Sequence, residues 1–203
     1  SYEGFDDIRM WFDVDLYESD SGEAGRLTSQ EFETDRDLVK TPYNRVEIDQ
    51  TIATFRYEQQ INELSTLDAN LWYSSLDRFS RRSAQFTDPA DEPETTALDE
   101  QQFDNYGFDV RYALSWGESN VLTAGTSGYA SDSPRTRHVS DDIRSNLQNP
   151  ADLVFAQDRA IAYNALFFEN LFRFDRLSVI PTVRFERVNY DLEELVKNPA
   201  VDR

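Results

Sequence analysis

The chain has no cysteine, one histidine and one methionine in 203 residues. Without a thiol there is no disulfide, no thiolate metal site and no cysteine nucleophile. A single histidine, His138, excludes a zinc site built from several. Glycine is scarce, seven in all, and no glycine-rich phosphate loop occurs. Long apolar runs are missing too: nothing approaches the roughly 20 apolar residues of a spanning helix. Bases are outnumbered, 20 Lys and Arg against 39 Asp and Glu, for a net charge of −19. Phosphate binding needs a basic footprint, so nucleic acid is not an expected partner. The surplus acid gathers in loop-like stretches, as at Asp88, Asp91, Glu92, Glu94, Asp99 and Glu100, and reads as solvated surface. No spaced calcium loop of the EF-hand kind is present. A Ser–His–Asp set would have to use His138 beside Ser131, Asp132, Ser133, Ser140 and Asp141; such a cluster reads as a polar loop, and no enzyme is expected.

What the chain does have is aromatic residues, 14 Phe, 10 Tyr and 3 Trp, and period-2 patterning. Strand-length segments lie near 6–17, 46–58, 66–79, 103–116, 120–130, 160–174 and 177–190. Side chains alternate across a strand, so each segment splits into two faces. Ile8, Met10, Phe12, Val14 and Leu16 oppose Arg9, Trp11, Asp13, Asp15 and Tyr17. Leu67, Ala69, Leu71 and Tyr73 oppose Asp68, Asn70, Trp72 and Ser74. Phe108, Val110, Tyr112, Leu114 and Trp116 oppose Asn105, Asp109, Arg111 and Ser115. Leu177, Val179, Pro181, Val183 and Phe185 oppose Thr182, Arg184 and Glu186. A soluble β-sandwich shows the same alternation.

The connections separate the two readings. Short ones at 59–65, 117–119 and 175–176 alternate with long polar ones at 18–45, 80–102 and 131–159. A sandwich has no reason to alternate them; an outer-membrane barrel has tight turns on one side and long loops on the other. Aromatics also gather at both strand ends. Tyr57, Trp116, Phe172 and Phe174 stand beside short turns, and Tyr17, Tyr73, Phe79, Tyr106, Tyr129 and Tyr190 towards long loops. Two aromatic belts match two bilayer interfaces. In 46–57 the apolar parity changes between Ile48 and Phe55, which a bulge near Gln50–Ala53 would reconcile. In 160–174 Glu169 and Arg173 suggest one inward face, Asn164 and Asn170 the other. Pro181 lacks a ladder donor and implies a bulge or a strand start. Seven strands are an odd number, and an open sheet leaves edges a membrane does not tolerate. With no signal peptide before the first strand, the chain reads as a piece of a longer barrel.

Several stretches resemble TonB-dependent outer-membrane receptors of the ferric dicitrate type. YESDSGEAGRLTSQEF (17–32), with DRD and PYNR after it, resembles the first part of a loop. LWYSSLDRFSRRS (71–83) resembles a strand entering a substrate-side loop, and LTAGTSGY (122–129) a recurrent barrel strand. AYNALFFENLFRFDRLSVIPTVRFERVNYD (162–191) is similar to a Phe-rich hairpin, with Thr182 where Gly, and Phe185 where Tyr, is expected. Arg26 likewise replaces an expected Gly. The resemblance covers most of the chain but only the middle of a typical receptor. It implies an all-β fold: about seven antiparallel strands of a transmembrane barrel of about 22. Residues 1–203 would be partial barrel, without the plug domain and final strands.

The resemblance implies active uptake of a ferric chelate, ferric dicitrate or another siderophore, across the outer membrane of a Gram-negative bacterium. Implied partners are the chelate, the TonB complex through the missing plug, the lipid bilayer and lipopolysaccharide. No resident cofactor is expected; iron enters only within the cargo. Ferric dicitrate is an anion, and a guanidinium forks onto a carboxylate. The arginines at strand–loop junctions, Arg78, Arg81, Arg82, Arg135, Arg137 and Arg159, are the candidate ligands, each alternatively an ordinary ion pair with the surplus acid. Gln85, Tyr129 and Asn164 are candidates for neutral hydrogen bonds, and loops 80–102 and 131–159 for substrate contact. A passive porin and a soluble all-β binding domain remain as other readings.

Overall fold

Strands of alternating character need a different environment on each side, and the chain meets this need with one sheet. The computed structural model describes residues 2–5, 7–23, 25–86 and 88–197. In chain order the strands are β1 (Tyr2–Phe5), β2 (Ile8–Gly22), β3 (Arg45–Asn62), β4 (Ser65–Ser83), β5 (Thr96–Trp116), β6 (Asn120–Asp132), β7 (Arg135–Ser140), β8 (Leu153–Phe174), β9 (Leu177–Val179) and β10 (Thr182–Lys197). Among the described residues one α-helix, α1 (Ser29–Thr34), lies between β2 and β3. The strands run β1-β2-β3-β4-β5-β6-β8-β10, with β7 against β5 and β8, and β9 against β8. Every pairing is antiparallel. Seven strands are long, as expected, and there is no second sheet packed on the first among the described residues, which removes the sandwich.

The register fixes the two faces. Phe12 stands opposite Phe55, Phe55 opposite Leu71, and Leu71 opposite Phe108. Phe108 faces Gly128, and further along Ala124 faces Phe168 and Phe168 faces Val183. This face is apolar yet uncovered: Leu16 is 77% exposed, Phe12 66% and Phe185 63%. A soluble chain does not leave so wide an apolar face bare; a bilayer covers it. The band ends where the same face turns acidic. Glu18, Asp49 and Asp77 stand directly opposite one another across β2, β3 and β4, and Asp104 opposite Asp132 across β5 and β6. Aligned carboxylates repel each other and belong in water, so they mark the upper edge of the hydrocarbon.

The opposite face is the lumen wall. Arg56, Asn70 and Asp109 form one cross-strand row, and Glu58, Asp68 and Arg111 the next. Trp72 lies flat across Gly107 and stacks on Tyr129, with ring centroids 5.7 Å apart. Phe167 lies across Gly125 beneath the guanidinium groups of Arg111 and Arg184, 5.6 and 5.8 Å from its centroid.

The sheet departs from the sequence expectations in three places and decides a fourth that the sequence leaves open. First, β3 pairs with β2 and with β4 in unbroken register from Arg45 to Gln59, so no bulge lies at Gln50–Ala53. Val46 and Ile48 share the lumen-side parity above the bilayer, whereas Phe55 and Tyr57 face lipid. Apolar character changes face with height, not with register. Second, the strands run well past the bilayer, so the expected loops shrink to 23–44, 84–95 and 141–152. Within 131–159 β7 continues β6 without a change of register: Asp132 faces Asp104 and Arg135 faces Gln101. Third, Tyr17, Tyr129 and Tyr190 lie on the lumen parity and are not belt residues; Tyr73 and Tyr106 do face lipid, and Phe79 lies above the acidic edge. Fourth, the odd positions of β8, including Glu169 and Arg173, face the lumen, whereas Asn164 and Asn170 face lipid. Asn170 there accepts a hydrogen bond from Trp116 Nε1 at 2.9 Å. Trp116 is part of a lower belt, edge-on to Phe172, which stacks on Phe174. The break at 180–181 between β9 and β10 falls at Pro181, as its missing donor requires. Residues 198–203, where a further loop is expected, lie outside the described residues, as does residue 6.

Candidate functional site at the extracellular mouth

Above the acidic edge the sheet stands in water, and β5 forms its axis, flanked by β4 and β7. On the lumen face Arg78, Gln101, Arg135 and Gln157 stand side by side across β4, β5, β7 and β8. The row above is Ser80, Asp99, Arg137 and Phe155. Arg82 lies two residues beyond Ser80, and Arg159 two residues below Gln157. Alternation brings all five arginines to one surface at the top of the lumen.

Two carboxylates hold them. Asp99 Oδ1 accepts from Arg135 Nη2 and from Arg137 Nε, both at 3.0 Å, and its side chain is only 11% exposed. Arg135 also stacks over Phe155, 5.7 Å from the ring centroid. Glu23 takes Arg82 in a two-pronged bridge, Nε to Oε2 at 3.1 Å and Nη2 to Oε1 at 2.9 Å. That hydrogen bonding holds the Glu23 carboxyl below the usual carboxylate range against the opposing effect of burial, with a further pull from Arg78. The same bridge raises the pKa of Arg82. Arg78 Nη1 donates to Gln101 Oε1 at 3.3 Å, and Arg159 Nε to Gln157 Oε1 at 2.9 Å. Glu194 on β10 stands opposite Gln157 on the same face, so five guanidinium charges meet three carboxylates and the cluster stays cationic, within a chain of net charge −19. The arrangement suits capture of a polycarboxylate, since each fork retains N–H groups that neither Asp99 nor Glu23 uses.

The other sequence candidates fall elsewhere. Arg81, one residue from Arg82, is on the opposite face. It donates from Nε to the Tyr43 carbonyl and from Nη1 to Asn146 Oδ1, both at 2.7 Å, and also to the Arg144 carbonyl. Burial and the neighbouring Arg45 lower its pKa. It clamps loops 23–44 and 141–152 to the outside of the sheet. Gln85 lies in the 84–95 connection, its amide against the Arg26 backbone. Tyr129 lines the lumen but faces Gly107, six residues down β5 from Gln101 and so roughly 20 Å lower; its hydroxyl donates to Asn105 at 3.2 Å. Asn164 faces lipid. His138 is buried on the outer face opposite Leu98, and its Nδ1 has no hydrogen-bond partner among the described residues, so no Ser–His–Asp relay forms there. The residues of the cluster within 80–102 and 131–159 sit on strands, not loops. Sequence reasoning missed Asp99, Gln101, Gln157, Glu23 and Phe155. The parity of 68–74, carried on to residue 82, would have put Arg78 and Arg82 inward and Arg81 outward.

Solved structures share this fold, among them two iron-chelate transport proteins. A ferric citrate transporter, FecA, in its unliganded form, matches with a TM-score of 0.81 and 14% identity over 96% of this chain and 29% of its own. BauA, the ferric preacinetobactin receptor from Acinetobacter baumannii, matches with a TM-score of 0.59 and 11% identity over 94% of this chain and 33% of its own. The chain thus spans about a third of the length of either. No curated protein matches. Residues 3–201 match the family described as TonB dependent receptor-like, beta-barrel, and with nearly the whole chain matched, this protein belongs to the TonB-dependent receptor β-barrel family.

Proposed function

We propose that this chain forms wall and extracellular mouth of an outer-membrane receptor that takes up an anionic ferric chelate, of the ferric citrate kind, in a Gram-negative cell. The observation that carries this reading is the lumen-facing cluster of Arg78, Arg82, Arg135, Arg137 and Arg159 above the bilayer. The family membership and the likeness to FecA and BauA support ferric-chelate uptake in general. The surrounding acidic surface repels anions, and the recessed cationic cluster attracts them, so an anion is guided to the mouth. There the guanidinium groups fork onto its carboxylates. Release into the lumen is driven by energy relayed through TonB to a plug domain, and this chain contributes binding and passage without chemistry.

The test uses the full-length receptor in detergent, titrated with ferric citrate and with a neutral ferric hydroxamate while tryptophan fluorescence is followed. Saturable quenching by ferric citrate alone is the expected result, weakened about tenfold or more by Arg78→Ala and by Arg137→Ala, as loss of a charge-assisted hydrogen bond implies. Binding unchanged in both variants would remove the site. A response to the hydroxamate alone would keep the receptor and discard the anionic cargo; silence towards both would favour a passive pore.

A further inference from the structure

Asp99 is the most enclosed charged group in the mouth, and it is an acid where the cargo is proposed to be acidic. It sits on β5 between the arginine pairs of β4 and β7, opposite Ser80 on one side and Arg137 on the other. One oxygen, Oδ1, receives both Arg135 and Arg137 at 3.0 Å. Arg137 gives only its Nε to this bond and Arg135 only an Nη2 hydrogen, so both Nη groups of Arg137 and Nη1 of Arg135 stay unpaired among the described residues, while Arg135 Nε is buried without a partner. Their side chains are 36% and 28% exposed, against 11% for Asp99. The carboxylate is thus more enclosed than either arginine it holds.

We propose that Asp99 is a positioning residue of the anion site in the mouth: its single shared oxygen holds Arg135 and Arg137 side by side so that their remaining N–H groups are left for the ligand, and its own charge partly offsets their attraction for an anion. The proposal rests on the anionic-chelate reading of this site. Two consequences separate the roles of shape and charge. An asparagine keeps the Oδ1 acceptor and so keeps both arginines in place, while it removes one negative charge within a few ångströms of the ligand. An alanine removes the anchor as well.

The experiment is ferric citrate titration of the full-length receptor carrying Asp99→Asn or Asp99→Ala, at low and high sodium chloride, with the neutral ferric hydroxamate as control. Asp99→Asn is expected to tighten ferric citrate binding roughly three- to tenfold at low salt, as removal of one nearby like charge implies, with the gain shrinking at high salt. Asp99→Ala is expected to weaken it, because the released arginines collapse onto other acids. Asp99→Asn equal to or weaker than wild type overturns the proposal, as does Asp99→Ala binding as tightly as Asp99→Asn. If binding ignores Arg137→Ala, the anionic-chelate reading itself fails, a result distinct from any Asp99 outcome.

Discussion

Single residues on the lumen wall are chosen for clearance as much as for contact. A β-carbon at position 107 would stand 2.6 Å from Trp72 Cζ2 and 2.8 Å from the Gly128 carbonyl oxygen. The indole could swing away, but only into the lumen, and the backbone oxygen could not. Gly107→Ala should therefore destabilise the folded barrel by about 1–3 kcal/mol, the usual range for overpacking, and alter the near-ultraviolet signal of Trp72. Denaturant unfolding of the full-length protein in detergent reads the first effect and circular dichroism the second; an unchanged midpoint would mean that the wall at Gly107 is not closely packed. The pair Arg81 and Arg82 makes the same point about direction. Neighbours in sequence, they serve opposite faces, one clamping outer loops and the other joining the mouth.

Among the elements, α1 is local and self-contained. Thr28 caps it: Glu31 N donates to Thr28 Oγ1 at 3.3 Å, and Thr28 N to Glu31 Oε2 at 2.7 Å, a reciprocal pair that satisfies two free helix donors. Lys40 Nζ adds a bond to Glu31 Oε1 at 3.0 Å. The Thr28 backbone N–H first, then Lys40 and the Thr28 hydroxyl, bring the Glu31 carboxyl down from 4.5 to about 2. A depressed carboxylate pKa favours the folded loop above the unfolded value and loses that contribution as pH falls through the folded one. Hydrogen-exchange protection in 28–40, taken relative to the intrinsic exchange rate at each pH, should hold above pH 4.5 and fall between there and about pH 2. In Glu31→Gln the window should vanish; a variant with the same pH profile as wild type would remove Glu31 as the cause. The β6–β7 pair shows the opposite dependence, on partners distant in the chain. Pro134 has no N–H to give, so the ladder is interrupted there, yet its neighbours bridge the gap: Ser133 N donates to the Arg159 carbonyl at 2.8 Å and Gln102 N to the Pro134 carbonyl at 3.1 Å. Only that continuity puts Arg135 and Arg137 on the lumen parity.

For the whole molecule, the height of a residue decides what its face means. Leu71, midway along the lipid face of β4, is 48% exposed in the isolated sheet. Asp77 shares that face but lies in the acidic row at the upper edge. An arginine at the bilayer midplane costs about 2–4 kcal/mol and near the interface about 0–1. Leu71→Arg should thus lower the stability of the full-length protein in vesicles by that larger amount, and Asp77→Arg hardly at all, as read by urea unfolding in vesicles. Equal penalties would misplace the hydrocarbon band.

Within the bilayer the sequence by itself determined the fold. One side of each strand must satisfy lipid and the other water, so Leu67 to Tyr73, Phe108 to Trp116 and Val183 to Phe185 carry a period-2 signal that fixes strand and face. Short turns and long connections set the orientation on the same basis. Above the bilayer both faces are wet, the alternation disappears, and TALDEQQ and RTRHVS read as loop although they are strand. Which of Arg78, Arg81, Arg82, Arg135, Arg137 and Arg159 meet was therefore decided by tertiary structure alone. Cross-strand register brings residues far apart in the chain onto one surface, and nothing local in a polar stretch encodes its partner. The same register set Asp99 between the two arginine pairs and turned Arg81 away from them.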